Sequence, residues 1–241
     1  MPVRTLVSIW PLFAGLSLIG LAVGVQGSLL GVRAELEGFD DYLIGLLMSC
    51  YFAGFLAGSL LTPKMIQRVG HIRIFAALSA VASVTILVHS IYVNPWAWAL
   101  MRLLTGFAFS TIYVVSESWL NQASNNTNRG QVLSIYTAIL LAGICAGQFM
   151  LNVANPREFT LFILISVMVS VAAVPILLSV ITTPAIEETE RVTMRHLWYR
   201  TPMGVTGIVL SQWVSSILFG MGAVYGTNLG FTVYEVANFM G

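Results

Sequence analysis

The 241-residue chain is 57% hydrophobic and 9% charged, with a formal net charge of +1. A soluble domain carries roughly a quarter of its residues as Asp, Glu, Lys or Arg, so this chain cannot cover itself with a polar surface, and its small net charge argues against a general nucleic-acid partner, which needs a concentrated basic face. Both cysteines, Cys50 and Cys145, fall inside apolar runs, which excludes a disulfide framework.

Crossing a hydrocarbon layer of ~30 Å at ~1.5 Å per residue takes roughly 20 residues. In chain order, uncharged stretches of that length run from Thr5 to Val32, Tyr42 to Pro63, Ile74 to Met101, Gly130 to Pro156, Phe159 to Ile186 and Thr201 to Tyr234. A further span lies between Trp96 and Leu120, where the helical pattern continues but Arg102 and Glu117 interrupt the hydropathy. The expectation is an all-α membrane protein with seven transmembrane helices. The first run outlasts a signal-peptide core and is read as an uncleaved span.

Orientation follows from the basic residues. With the N-terminus in the cytoplasm, Arg4, Lys64, Arg68, Arg73, Arg129, Arg191, Arg195 and Arg200 lie inside, against Arg33 and Arg157 outside. The excess of Lys and Arg in cytoplasmic loops orients helices, so a cytoplasmic N-terminus is expected.

Residues 1–182 read as an N-terminal six-helix bundle and residues 183–202, which carry Glu187, Glu188, Glu190, Arg191, Arg195, His196 and Arg200, as a cytoplasmic linker. Residues 203–241 read as the start of a second bundle: a seventh helix, a turn through Gly226 and Gly230, and an eighth helix beginning near Val236 and cut off by the chain end. Six helices, a charged linker and a restarting set of helices is the layout of a transporter with two six-helix halves. On this reading the C-terminal half is incomplete and would be a partner of the residues present. Residue matching reveals no three-helix repeat.

Three groups of residues carry chemical information. Between the second and third spans stand Gln67, Arg68, Val69, Gly70, His71, Ile72 and Arg73, with Gly58 earlier on the same helix; Gly70 can take the left-handed conformation that ends a helix, and the cations suit a helix C-terminus and anionic head groups. An ordinary positive-inside loop explains the charges equally well. In the fourth span, ~100° per residue places Arg102, Gly106, Phe109, Tyr113 and Glu117 on one narrow face. Lipid penalises such a stripe, so it should face a neighbouring helix or a water-filled cavity. Arg102 either serves that cavity or, six residues from Trp96, snorkels to the interface; Glu117 either exchanges protons or pairs with a loop Arg. In the fifth span, Gly143 and Gly147 have the spacing that lets helix backbones approach closely. Gln26 in the first span and Gln212 in the seventh can hydrogen-bond a polar solute.

The loop from Gln67 to Arg73, the run Arg102, Leu103, Leu104, Thr105, Gly106, and the segment Glu117, Ser118, Trp119, Leu120, Asn121 followed by Asn128, Arg129 and Gly130 resemble, in their order and spacing, the major facilitator superfamily and its YcaD-like branch. Gln67 stands where an acid is usual in the loop signature, and Gln148 with Phe149 replaces the Pro and glycines of the antiporter signature. The resemblance implies a secondary transporter that moves a small solute by alternating access, with a cavity lined by helices 1, 4 and 7, and with proton-coupled efflux among its options. It implies a pathway of Gln26, Arg102, Tyr113, Glu117 and Gln212, a gating loop of Gly58, Arg68, Gly70 and Arg73, and packing positions at Gly106, Gly143 and Gly147. The setting it implies is a bacterial inner membrane, with the lipid bilayer, the solute and protons as partners.

Other classes fit less well. A retinal protein needs a lysine in its last helix, and the only lysine is Lys64, in a loop. A membrane enzyme needs clustered ligands or acid and base partners, whereas His71, His89 and His196 are scattered and no HExxH spacing occurs. No catalytic residue, metal or cofactor is therefore expected. A non-transporting membrane scaffold or a receptor-like helical bundle stays open as the alternative.

Overall fold

The computed structural model describes residues 3–178 and 194–241. Among the described residues every regular element is helical: α1 (Val3–Leu36), α2 (Asp41–Val69), α3 (His71–Ile91), α4 (Pro95–Gln122), α5 (Arg129–Met150), α6 (Thr160–Ala172), α7 (Val174–Leu178), α8 (Met194–Arg200), α9 (Pro202–Asn228) and α10 (Val233–Met240). Seven spans are long and apolar enough to cross a membrane, α6 and α7 together forming one of them.

Local chemistry sets the boundaries. Asp40 opens α2 by accepting the Tyr42 N–H at 3.0 Å. Asn94 accepts the N–H groups of Trp96 and Ala97 at 3.0 and 3.2 Å, and Pro95 begins α4 without a donor to lose. That cap divides the uncharged stretch 74–101 between α3 and α4. The fifth span ends at Met150, short of the expected Pro156, and the seventh stops at Asn228. Gly226 lies within α9, so the turn belongs to Gly230 alone, with φ +84°. The next helix starts at Val233, before the expected Val236, because Thr232 and Glu235 form a reciprocal capping box. The Thr232 backbone and side chain hold the Glu235 carboxyl below its usual range. Arg195, His196 and Arg200 fall in α8, which the sequence did not announce; the linker reading over 183–193, and the sixth span beyond Leu178, lie outside the described residues.

Gly70 alone connects α2 to α3. Its N–H closes α2 on the Ile66 carbonyl at 2.9 Å, and its φ of 87° with ψ of 161° is a region beyond the left-handed helix that is open essentially to glycine. Gly70→Ala is expected to cost about 1–3 kcal/mol, read as a lowered midpoint of thermal unfolding in detergent; an unchanged midpoint would contradict this role.

The helices pack with an internal symmetry. The principal contacts are α1 with α5, α2 with α4, α3 with α4, α1 with α6, and α3 with α6. Exchanging α1 with α4, α2 with α5 and α3 with α6 turns the first pair into the second and the third into the fourth, and leaves the last unchanged. Spans three apart, joined by short connections, run in opposite directions, so this is an inverted three-helix repeat. The two longest crossings also match in detail. Gly20 and Gly24 of α1 meet Gly143 and Gly147 of α5, and Gly54 and Gly58 of α2 meet α4 around Gly106 and Ser110. A Cβ added at Gly20 would lie 2.8 Å from the Leu140 carbonyl oxygen, and one at Gly58 2.6 Å from that of Phe107. Small residues at four-residue spacing thus bring both pairs of backbones together. Gly58, grouped by sequence with the gating loop, sits in this crossing, where its missing side chain admits α4.

Candidate functional site

Helices α1, α2, α4, α5 and α9 line a cavity of about 750 Å³, within the size range of small-molecule sites. Four of the five residues assigned to the pathway from sequence, Gln26, Arg102, Tyr113 and Gln212, lie on its wall. The expected lining by helices 1, 4 and 7 was incomplete. From α2 come Tyr51, Phe55 and Ser59, and from α5 comes Gln148. The four-residue spacing of Tyr51, Phe55 and Ser59 was a helical stripe present in the sequence.

Arg102 is 5% exposed. Its guanidinium carbon stands 4.5 Å from the centroid of the Tyr51 ring, a cation–π contact, and Nη2 donates to the Met48 sulfur at 3.1 Å. Nε is buried without a partner. Among the described residues no Asp or Glu lines the cavity and none forms an ion pair with Arg102. Snorkelling requires the guanidinium to reach the interface; here it is folded onto α2 instead. From α1, Gln26 is buried and its Nε2, as the amide is oriented here, also lacks a partner. Nearby, the Ser28 hydroxyl donates to Gln148 Oε1, tying α1 to α5 beside the cavity.

The stripe on α4 divides in three. Arg102, Phe109 and Tyr113 face the cavity, with Tyr113 against the Phe55 ring at 6.1 Å. Gly106 is turned onto the Tyr51 backbone. Glu117, one turn past Tyr113, is exposed and not among the residues lining the cavity; among the described residues it pairs with no Arg, and it accepts a hydrogen bond from the Tyr136 hydroxyl of α5 at 3.1 Å. The cavity face of α4 thus carries Arg102, Phe109 and Tyr113, and Glu117 is not among the residues that line it.

Arg68 and Arg73, flanking Gly70, are exposed and make no ion pair among the described residues. His71 beside them is buried, with Nε2 3.1 Å from the Ser118 hydroxyl and its ring 6.2 Å from that of Trp119. The loop is therefore anchored to the end of α4, a contact that nothing in the sequence spacing disclosed. At the other end of the bundle, Arg33 pairs with Glu37 at 2.6 Å and donates to the carbonyls of Pro156 and Arg157. Among the described residues no group of three or more His, Cys, Asp or Glu comes together as a metal site.

The family model described as Major Facilitator Superfamily matches residues 12–241. An uncharacterized MFS-type transporter of Enterobacter sp. (strain 638) is 28% identical over 225 residues, covering 91% of this chain and 58% of that protein. The uncharacterized MFS-type transporter YcaD of Escherichia fergusonii is 27% identical over 229 residues, covering 91% of this chain and 60% of YcaD. The chain thus spans somewhat under two thirds of these curated relatives. In fold it is similar to the crystal structure of a mutant of the nucleoside transporter NupG, with a TM-score of 0.70 at 12% identity over 88% of this chain and 56% of NupG. With the family match running over nearly its whole length, the chain is an integral membrane protein of the Major Facilitator Superfamily.

Proposed function

We propose that this chain supplies the first bundle, and the opening part of the second, of a secondary active transporter that moves a small organic solute by alternating access. The observation that carries the reading is the cavity between α1, α2, α4, α5 and α9, apolar over most of its wall and holding one buried arginine. A lipid-facing position would penalise that charge, and a purely structural one would normally give it a carboxylate. In this reading residues 1–182 form the first bundle, 183–202 a cytoplasmic linker and 203–241 the start of the second. The Lys and Arg distribution supports a cytoplasmic N-terminus, and the bacterial relatives support an inner-membrane setting. Reconstitution of the full-length protein into proteoliposomes tests the function: saturable solute flux is expected, whereas no flux across a broad solute screen would leave the non-transporting scaffold standing.

Proton coupling, in the same proposal, falls to Glu117, an exposed carboxylate whose bond to Tyr136 joins α4 to α5. Glu117→Gln is expected to flatten the pH dependence of flux while Glu117→Asp retains it. A pH profile unchanged by Glu117→Gln would reduce this residue to a tie between two helices.

A further inference from the structure

Resting on the reading of the cavity as a solute site, we infer that the solute is an organic anion with a flat apolar or aromatic body, its acidic head held by Arg102 and Gln26. Two residues of this wall, Arg102 and Gln26, each carry a buried donor atom without a partner, Nε and Nε2. A buried donor without an acceptor carries its whole desolvation cost, so the pair is most readily satisfied by an acceptor-rich group. The fixed cation makes that group an anion: an Arg presents its donors in a planar fork that matches a carboxylate, and among the described residues no Asp or Glu of the lining competes for it. Arg102 is held by the Tyr51 ring and by the weak acceptor sulfur of Met48. Those contacts orient the guanidinium without neutralising it.

The rest of the wall describes the rest of the solute. Tyr51, Phe52, Phe55, Phe109 and Tyr113 all line the cavity, and its surface is mainly apolar. A bare inorganic anion would leave these rings in water, whereas an aromatic or aliphatic acid covers them while its head meets Arg102. A cationic solute is disfavoured by direct repulsion, because among the described residues none in the lining offsets the guanidinium.

A matched set of probes separates charge from shape: 2-naphthoate, 2-naphthamide and 2-naphthylmethylammonium, each titrated against the full-length protein in nanodiscs and read by its shift of the thermal unfolding midpoint. The carboxylate is expected to raise the midpoint, the amide to act weakly and the amine not at all. Arg102→Gln should weaken the carboxylate effect by about 10- to 100-fold, the range for losing a charge-assisted hydrogen bond, Arg102→Lys by less, and Gln26→Leu by an intermediate amount. Should Arg102→Gln fail to fold, the ranking of the three probes on the unaltered protein and the effect of Gln26→Leu still decide the matter. Equal shifts from all three probes, a shift from the amine alone, or no shift from the carboxylate overturns the inference. Its failure is distinct from failure of the transporter reading: saturable flux of a cationic solute, undiminished by Arg102→Gln, would sink the anion while keeping the transporter, and Arg102-dependent binding of naphthoate without any flux would do the reverse.

Discussion

Arg102→Met is expected to stabilise the folded protein by about 1–3 kcal/mol, as replacing buried charge by apolar groups commonly does, and in the same molecule to reduce solute flux at least about tenfold. The two effects have one cause. Arg102 is 5% exposed, has no carboxylate within ion-pairing distance among the described residues, and leaves Nε unpartnered, so its desolvation is offset only by the Tyr51 ring and a thioether. Methionine has similar length and no charge to desolvate, and Met48 already lies alongside to pack with it. A residue held in place for structure loses stability when it is removed; one kept for a solute gains it and loses function. Thermal unfolding and flux measured on the same preparations check this directly, and a lowered unfolding midpoint with normal flux would return Arg102 to the scaffold.

The second large effect lies at the helix crossings. Gly106→Val is expected to destabilise the protein by more than about 3 kcal/mol, at the upper end of overpacking effects, and in practice to abolish folded expression. An added Cβ at position 106 would run into the Tyr51 carbonyl and the Phe55 nitrogen, backbone atoms that can retreat only by separating α2 from α4. The nearby Thr62 and Thr111 hydroxyls, 3.0 Å apart and fully buried between the same helices, would be parted with them. Gly45→Ala is the control, since a Cβ there meets nothing within 4 Å and alanine favours the helix. Yields of monodisperse protein in detergent should fall for the first variant and hold for the second.

Much of this architecture was legible in the sequence because lipid imposes a length rule: runs of apolar residues could be placed without knowing what they touch. Arg102 and Glu117 interrupted the fourth run, yet the helical pattern continuing from Trp96 to Leu120 identified it as a span. What the sequence could not show were relations between helices. The inverted repeat is carried by small residues at matching crossings, Gly20 and Gly24 against Gly106 and Ser110 in their equivalent helices, and not by similar side chains, so residue matching passes over it. The cavity wall was half legible for the same reason. Gln26, Arg102, Tyr113 and Gln212 were polar residues standing out from apolar runs, whereas Tyr51 and Phe55 blend into theirs. Glu117 was on the right face of α4 but beyond the point where α5 meets it through Tyr136.

Alternating access requires the cavity to open to each side of the membrane in turn. With Cys50 and Cys145, and any cysteine in the remainder of the full-length protein, replaced by alanine, Ser59→Cys places a single thiol on the cavity wall. Its reaction with a membrane-impermeant maleimide, measured in right-side-out and in inverted vesicles containing the full-length protein, is expected from both sides. Reaction from one side only, under every solute condition, would contradict alternating access.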